Sequence, residues 1–263
     1  MRTILDEIIA NRRAEVLKQK QEIPLAEIQT KIDFNTTCNS LSANLLKQGS
    51  SGIIAEFKRR SPSKGVINDQ VQPEIVTKGY AGAGASGLSV LTDRKFFGGS
   101  TKDFIAARHA NPFTPLLRKD FMVDEYQIFE SRLLNADVIL LIAAVLDKVE
   151  ISRFTSIAHE LGMEVLLELH DESEIEKIDE MVDMIGINNR NLKDFKVDMD
   201  RSLKLLELLP DNAVKISESG LSDPETVNFL RSRGFQGFLM GENFMKSENP
   251  ASACLDFISK LKY

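Results

Sequence analysis

The chain has 263 residues, 43% of them hydrophobic and 27% charged, which is enough to bury a large core and poorly suited to a disordered, collagenous or membrane-bundle protein. Thirty-three Lys and Arg against 39 Asp and Glu leave a net charge of −6, so no global positive field draws the chain to nucleic acid or to an anionic membrane. An anionic ligand must be held by local basic groups.

At the amino terminus Asp6 and Glu7 sit where a signal peptide would carry its apolar stretch, and export is not expected. Ile4, Leu5, Ile8, Ile9 and Val16 follow helical spacing, Pro24 interrupts it, and Leu25, Ile28 and Ile32 resume it. Residues 1–47 therefore read as a helical extension, and 48–263 as the main body. The extension either caps the bottom or side of that body or lies near its site. The longest apolar run, Val138–Leu146, falls well short of the ~20 residues a spanning helix needs, and reads as a buried strand. Cys38 and Cys254 lie near opposite ends, and His109, His159 and His170 fit no metal-ligand spacing. Reduced thiols, no metal, no cofactor and a cytoplasmic location are the expectation.

From residue 52 onward short apolar stretches recur, each followed by a segment of helical periodicity. The eight stretches are 52–57, 86–92, 115–120, 137–145, 162–170, 184–190, 213–219 and 237–242. Their continuous hydrophobicity means that both faces of the sheet are covered. Ser222-Asp223-Pro224-Glu225 reads as a capping box, Asp171 as an acidic cap, and Asn249-Pro250 as the start of the last helix. Eight such units predict a (β/α)8 barrel, an α/β fold of roughly 250 residues. An open doubly wound sheet is the alternative, but the first strand is followed by Lys58-Arg59-Arg60-Ser61-Pro62-Ser63-Lys64-Gly65 rather than a GxGxxG turn.

In such a barrel the chemistry sits at the carboxy-terminal ends of the strands. Those ends carry Glu56 and Lys58, Thr92 and Asp93, Lys119 and Asp120, Glu168, Asn188 and Arg190, Ser217 to Gly220, and Gly241 with Glu242. Lys119 and Glu168 follow apolar runs, so they emerge from a dry interior where pairing is the cheapest way to keep charge. They are either a structural ion pair at the rim or catalytic groups. The turns at Ser219-Gly220 and Gly241-Glu242 fall where this fold habitually holds phosphate, with simple turn glycines as the other reading. Gly79–Ala85 is glycine-rich but precedes a strand, and so reads as a helix end with tight packing. Asp198-Met199-Asp200 reads as a helix cap rather than a metal site. Phe96-Phe97-Gly98-Gly99-Ser100 reads as an aromatic wall or flap.

Ile54–Gly65, containing EFKRRSPSKG, resembles the first-strand motif of the indole-3-glycerol phosphate synthases. Leu88–Asp93, Phe96–Ser100, Leu117–Phe121 (LRKDF), Glu168 with His170-Asp171-Glu172, Ile185–Leu192, Ser217–Gly220 and Met240–Glu242 extend the likeness over essentially the whole chain. Gly87-Leu88 and Met122 depart from the usual pattern, but neither is a charged position. The family also occurs fused to a neighbouring isomerase barrel, and this chain has the look of the monofunctional form.

The resemblance implies ring closure, decarboxylation and dehydration of 1-(2-carboxyphenylamino)-1-deoxyribulose 5-phosphate, a step of tryptophan biosynthesis. It implies Lys119 as the acid that polarises the ketone and Glu168 as the carboxylate answering charge on nitrogen. Glu56 and Lys58, two apart on one strand and facing the same way, fit the later dehydration. Asn188, Arg190 and Ser61 would orient the substrate carboxylate, and Phe121 would hold the arene. Ser219, Gly220, Gly241 and the backbone amide of Glu242 would take the phosphate, with Lys58 available to help. A phosphorylated small molecule is then the only partner expected, with no nucleic acid and no membrane, and, with no surplus apolar helix face evident in the sequence, a monomer is expected. Two rivals are another phosphosugar barrel enzyme, such as phosphoribosylanthranilate isomerase, and a barrel that binds a phosphorylated ligand without catalysis.

Overall fold

The computed structural model describes residues 3–190 and 197–262. Asn191 and Leu192, at the end of one sequence motif, lie outside the described residues.

Three helices precede the sheet: α1 (Ile4–Glu22), α2 (Leu25–Lys31) and α3 (Leu41–Leu46). Thr3 and Asp6 form a reciprocal capping box at the start of α1, and Pro24 separates α1 from α2 as its fixed φ dictates. The rest alternates as the sequence pattern anticipates. Strand β1 (Ile53–Phe57) is followed by a short antiparallel hairpin, β2 (Arg60–Ser61) and β3 (Gly65–Val66), and by α4 (Pro73–Gly82). Then come β4 (Gly87–Leu91), α5 (Thr101–Ala110), β5 (Leu116–Lys119), α6 (Tyr126–Leu133), β6 (Val138–Ile142) and α7 (Lys148–Glu160). Strand β7 (Glu164–Leu169) leads into a 3-10 helix at Glu172–Lys177 and to β8 (Met184–Asn188), α8 (Met199–Leu206) and β9 (Val214–Glu218). The order closes with α9 (Pro224–Ser232), β10 (Gly237–Met240), α10 (Glu242–Met245) and α11 (Pro250–Ile258).

Eight strands close in the order β1-β10-β9-β8-β7-β6-β5-β4, each parallel to its neighbours. This is the (β/α)8 barrel, and the open-sheet alternative is set aside. Several strands are shorter than the apolar runs that announce them. The run 137–145 pairs only over Val138–Ile142, because the amides of Val145 and Leu146 turn back onto the Ile142 carbonyl. The cap of α9 also differs in detail: Asp223, not Ser222, is the N-cap, and its carboxylate accepts from the Glu225 amide with Pro224 at the first helical position. Asp171, Asp198 and Asn249 cap their helices as expected, and α4 ends at the glycine-rich stretch.

Strand alternation sorts the core into two parts. One row of residues points outward against the helices. The other fills the barrel: Ile54, Leu117, Val138, Leu140, Leu166, Met184, Val214, Ile216 and Leu239 form a single interior cluster. Leu41 and Leu45 of α3 belong to that cluster and plug its amino-terminal end. Gly87 makes room for the plug, since a Cβ there would stand 2.3 Å from Leu41 Cδ1. Glu164, at the start of β7, accepts from the Leu41 and Ser42 amides at 2.8 and 3.0 Å and so pins α3 in place. The extension thus divides: α3 is the floor, whereas Ile4, Leu5 and Ile8 of α1 reach the cavity at the other end. Leu41→Ala should cost about 2–5 kcal/mol, because a fully buried side chain leaves a cavity that the strands around it cannot collapse into. A fall in the urea midpoint at unchanged m-value would register it.

Candidate active site at the barrel mouth

The inward row does not stop where the apolar residues do. Continued toward the carboxy-terminal ends, Ile54 is followed by Glu56 and Lys58, Leu117 by Lys119, Leu166 by Glu168 and His170, and Ile216 by Glu218. The polar residues therefore stand directly on the apolar interior, lining a cavity of about 430 Å³ together with Ser61, Phe121, Asn188, Arg190, Ser219, Gly220, Gly241 and Glu242. That volume suits a small-molecule ligand.

Lys119 lies at the centre. Its ammonium donates to Glu168 Oε2 at 2.5 Å and to Glu218 Oε2 at 3.1 Å. Burial opposes the charge on Lys119, but Glu168, Glu218 and Glu56 outweigh it and hold the pKa above the ordinary lysine value. Glu168 also accepts from Asn188 Nδ2 at 3.0 Å, and His170 Nε2 stands 2.9 Å from its Oε1. Burial would raise its pKa; Lys119 and His170 prevail and hold it well below the usual carboxylate range. Glu218 is different. Burial dominates there, Lys119 offsets only part of it, Glu168 adds repulsion, and the carboxyl is pushed up to about 8. The site thus favours a charged Lys119 and an ionised Glu168 and pushes Glu218 toward its protonated form, a division set by environment.

A second pair faces them. Lys58 donates to Glu56 Oε1 at 2.6 Å, and Gly241 lets the Glu56 chain pass, since a Cβ there would meet its Oε1 at 2.7 Å. Arg190 leaves the end of β8 to reach Ser63 Oγ at 2.7 Å and Glu242 Oε2 at 3.2 Å, and Lys64 comes within 3.8 Å of the same carboxylate. These contacts tie the β2–β3 hairpin to the loops after β8 and β10. The Glu242 side chain is thus engaged by cations. Ser61, on β2 of the hairpin, is buried, with its Oγ 3.4 Å from Ser63 Oγ. Ser219 and Gly220 both take positive φ, +69° and +72°, turning the chain sharply after β9. Phe121 packs against Phe97 at 5.9 Å between ring centroids, making an aromatic wall.

The structure thus brings all twelve candidate residues to one cavity. Sequence reasoning places Glu218 at the end of a strand but gives it no role of its own, because the glycine turn beside it is the more conspicuous feature. It also leaves without a role His170, although period two puts it in the row of Glu168, and Lys246, which lines the same cavity.

A closed parallel barrel with paired lysines and carboxyls gathered at the carboxy-terminal ends of its strands has the layout of a (β/α)8 enzyme. Comparison with known proteins gives the family: residues 5–257 match the model for indole-3-glycerol phosphate synthase. Relatives carrying that name include one from Bacteroides thetaiotaomicron, 49% identical and covering 100% of both chains. Another, from Laribacter hongkongensis, is 42% identical over 96% of this chain and 98% of its own. The chain belongs to the indole-3-glycerol phosphate synthase family. Among solved structures, 3-hexulose-6-phosphate synthase from Salmonella typhimurium superposes with a TM-score of 0.63 over 80% of this chain and 97% of that one, at 14% identity, which speaks to the fold alone.

The raised Glu218 predicts a pH-dependent variant. Folding takes up a proton at Glu218 between the unfolded carboxyl pKa, near 4.5, and about 8, so this group's contribution to stability falls as pH rises through that window. Glu218→Gln copies the neutral form. Its melting temperature relative to the parent should gain little near pH 5 and most above pH 8.

Proposed function

We propose that this protein converts 1-(2-carboxyphenylamino)-1-deoxyribulose 5-phosphate to indole-3-glycerol phosphate, with release of carbon dioxide and water. The observation that carries the reading is Lys119, a buried ammonium held between the Glu168 and Glu218 carboxyls at the floor of the mouth. Family membership supports it, and does not favour the isomerase or the non-catalytic barrel.

Ring closure joins the arene carbon that bears the carboxylate to the substrate ketone carbon. The ketone oxygen needs a proton as the bond forms, and Lys119 supplies it; the positive charge that develops on nitrogen is answered by Glu168, held in place by Asn188. Loss of carbon dioxide then restores aromaticity and needs orientation more than acid or base, for which Arg190, Asn188 and Ser61 surround the carboxylate. Dehydration expels the new hydroxyl as water, with Lys58 as acid, while Glu56 removes the proton that completes the pyrrole ring. Glu218, protonated beside Lys119, is a second proton source at the same oxygen. Phe121 and Phe97 flank the arene, and the backbone around Ser219, Gly220, Gly241 and Glu242 takes the phosphate.

All these groups come from one chain, so a monomer is sufficient for the chemistry, and no step calls for a cofactor. We place the enzyme in the cytoplasm, where a biosynthetic phosphate ester would be met. No helix among the described residues is long and apolar enough to cross a membrane.

The purified protein, given the carboxyphenylamino-deoxyribulose phosphate in buffer with chelator, should produce indole fluorescence and carbon dioxide together. Folded protein that binds the substrate by calorimetry but gives neither signal defeats the reading. Lys119→Met should lower turnover by about three orders of magnitude or more, within the range of a lost general acid and electrostatic group, with product affinity within a few-fold of the parent.

A further inference from the structure

The strand alternation that aims Glu168 into the barrel also aims His170, which follows it after the end of β7. The imidazole lines the cavity yet is 6% exposed. Its Nε2 stands 2.9 Å from Glu168 Oε1 and its Nδ1 4.0 Å from Glu174 Oε2, ion-pair distances at which neither nitrogen makes an aligned hydrogen bond to the described residues. The His170 amide donates to Glu174 Oε2 at 2.7 Å, so the 3-10 helix fixes the backbone that carries the ring. The groups facing the imidazole are Glu168 on β7, Glu174 on the 3-10 helix and Glu218 on β9, with Lys119 of β5 bonded to Glu168. The reaction as written gives this buried side chain no task.

We propose that His170 is a positioning residue for Glu168: it holds the carboxylate in the orientation that Asn188 and Lys119 require and, as an imidazolium, shares its charge with Lys119. The inference rests on Glu168 being the group that answers charge on nitrogen. Burial disfavours the imidazolium, but the Glu168, Glu174 and Glu218 carboxyls outweigh it and lift the pKa above the ordinary histidine value. With two cations on it, Glu168 stays ionised to lower pH. With His170 gone, Lys119 and the Asn188 hydrogen bond are left to oppose burial, the Glu168 pKa rises, and the acidic limb of the rate profile moves to higher pH.

Two variants separate orientation from charge. His170→Leu removes both; His170→Gln keeps an N–H donor within reach of Oε1 without the charge. His170→Leu should lower kcat by about tenfold with KM changed less than about twofold, and shift the acidic limb of kcat upward by about one pH unit. His170→Gln should recover most of the plateau kcat and retain the shifted limb. A parent-like limb in both variants, whether or not kcat falls, overturns the proposal. A readout independent of turnover comes from titrating the three imidazoles of the chain by NMR. The resonance lost in His170→Gln should titrate above an ordinary histidine in the parent and drop on Glu168→Gln; a resonance indifferent to Glu168→Gln overturns the proposal even where the reaction is as assigned. Coupling seen by NMR in a protein that does not turn over the substrate instead overturns the functional reading, and with it the catalytic meaning of the contact.

Discussion

An ammonium group buried at the floor of the barrel mouth is the constraint around which the catalytic end is arranged. Lys119 stands on an apolar interior where an unpaired charge is unaffordable, so carboxyl groups must reach it. They come from β7 and from β9, the latter four strands away on the opposite wall. Their reach imposes a demand on the strand between them. A Cβ at Gly186 of β8 would lie 2.0 Å from Glu218 Oε1, so the absence of a side chain there is what lets Glu218 extend to the lysine. The charge pattern that follows is uneven. Two carboxyls share one lysine, and the one with further donors, Glu168, takes the negative charge while Glu218 keeps its proton.

The helical extension joins both ends of this arrangement. At the floor, α3 closes the barrel with leucines and is pinned by Glu164. Near the mouth, Arg12 of α1 donates to Asp120 Oδ2 at 2.5 Å, the residue directly after Lys119, and Asp120 also accepts from Thr92 Oγ1 and from Arg118. Lys20 adds a contact to Asp124 at 2.9 Å. Arg118, Arg12 and Asp120 are all buried, so this is a dry network whose members hold one another in register. The loop carrying Phe121 is therefore fixed from outside the barrel. The two placements open to the extension from its sequence are both occupied, by different helices.

Much of this was legible in the chain. Eight apolar runs separated by helical periods leave few options besides a barrel, and the rule that chemistry gathers at strand ends picked out Glu56, Lys58, Lys119, Glu168 and Asn188 before any contact was visible. A role for Glu218, itself a strand-end residue, and for His170 was harder to read. Both obey the same alternation, but each sits beside a more conspicuous feature, a glycine turn in one case and an acidic helix cap in the other. Gly241 read as a turn residue or part of a phosphate loop, and its steric service to Glu56 belongs to a neighbouring strand that periodicity does not reveal.

The division has a physical basis. Periodicity, caps and strand ends are local properties, governed by residues a few positions apart, and so the sequence by itself determined the element order, the barrel class and the set of side chains facing inward. Which of those side chains meet depends on barrel closure. Lys119 is 49 residues from Glu168 and 99 from Glu218, and only tertiary structure, by setting strand register and excluding water, decided that they share one site and which carboxyl keeps its proton.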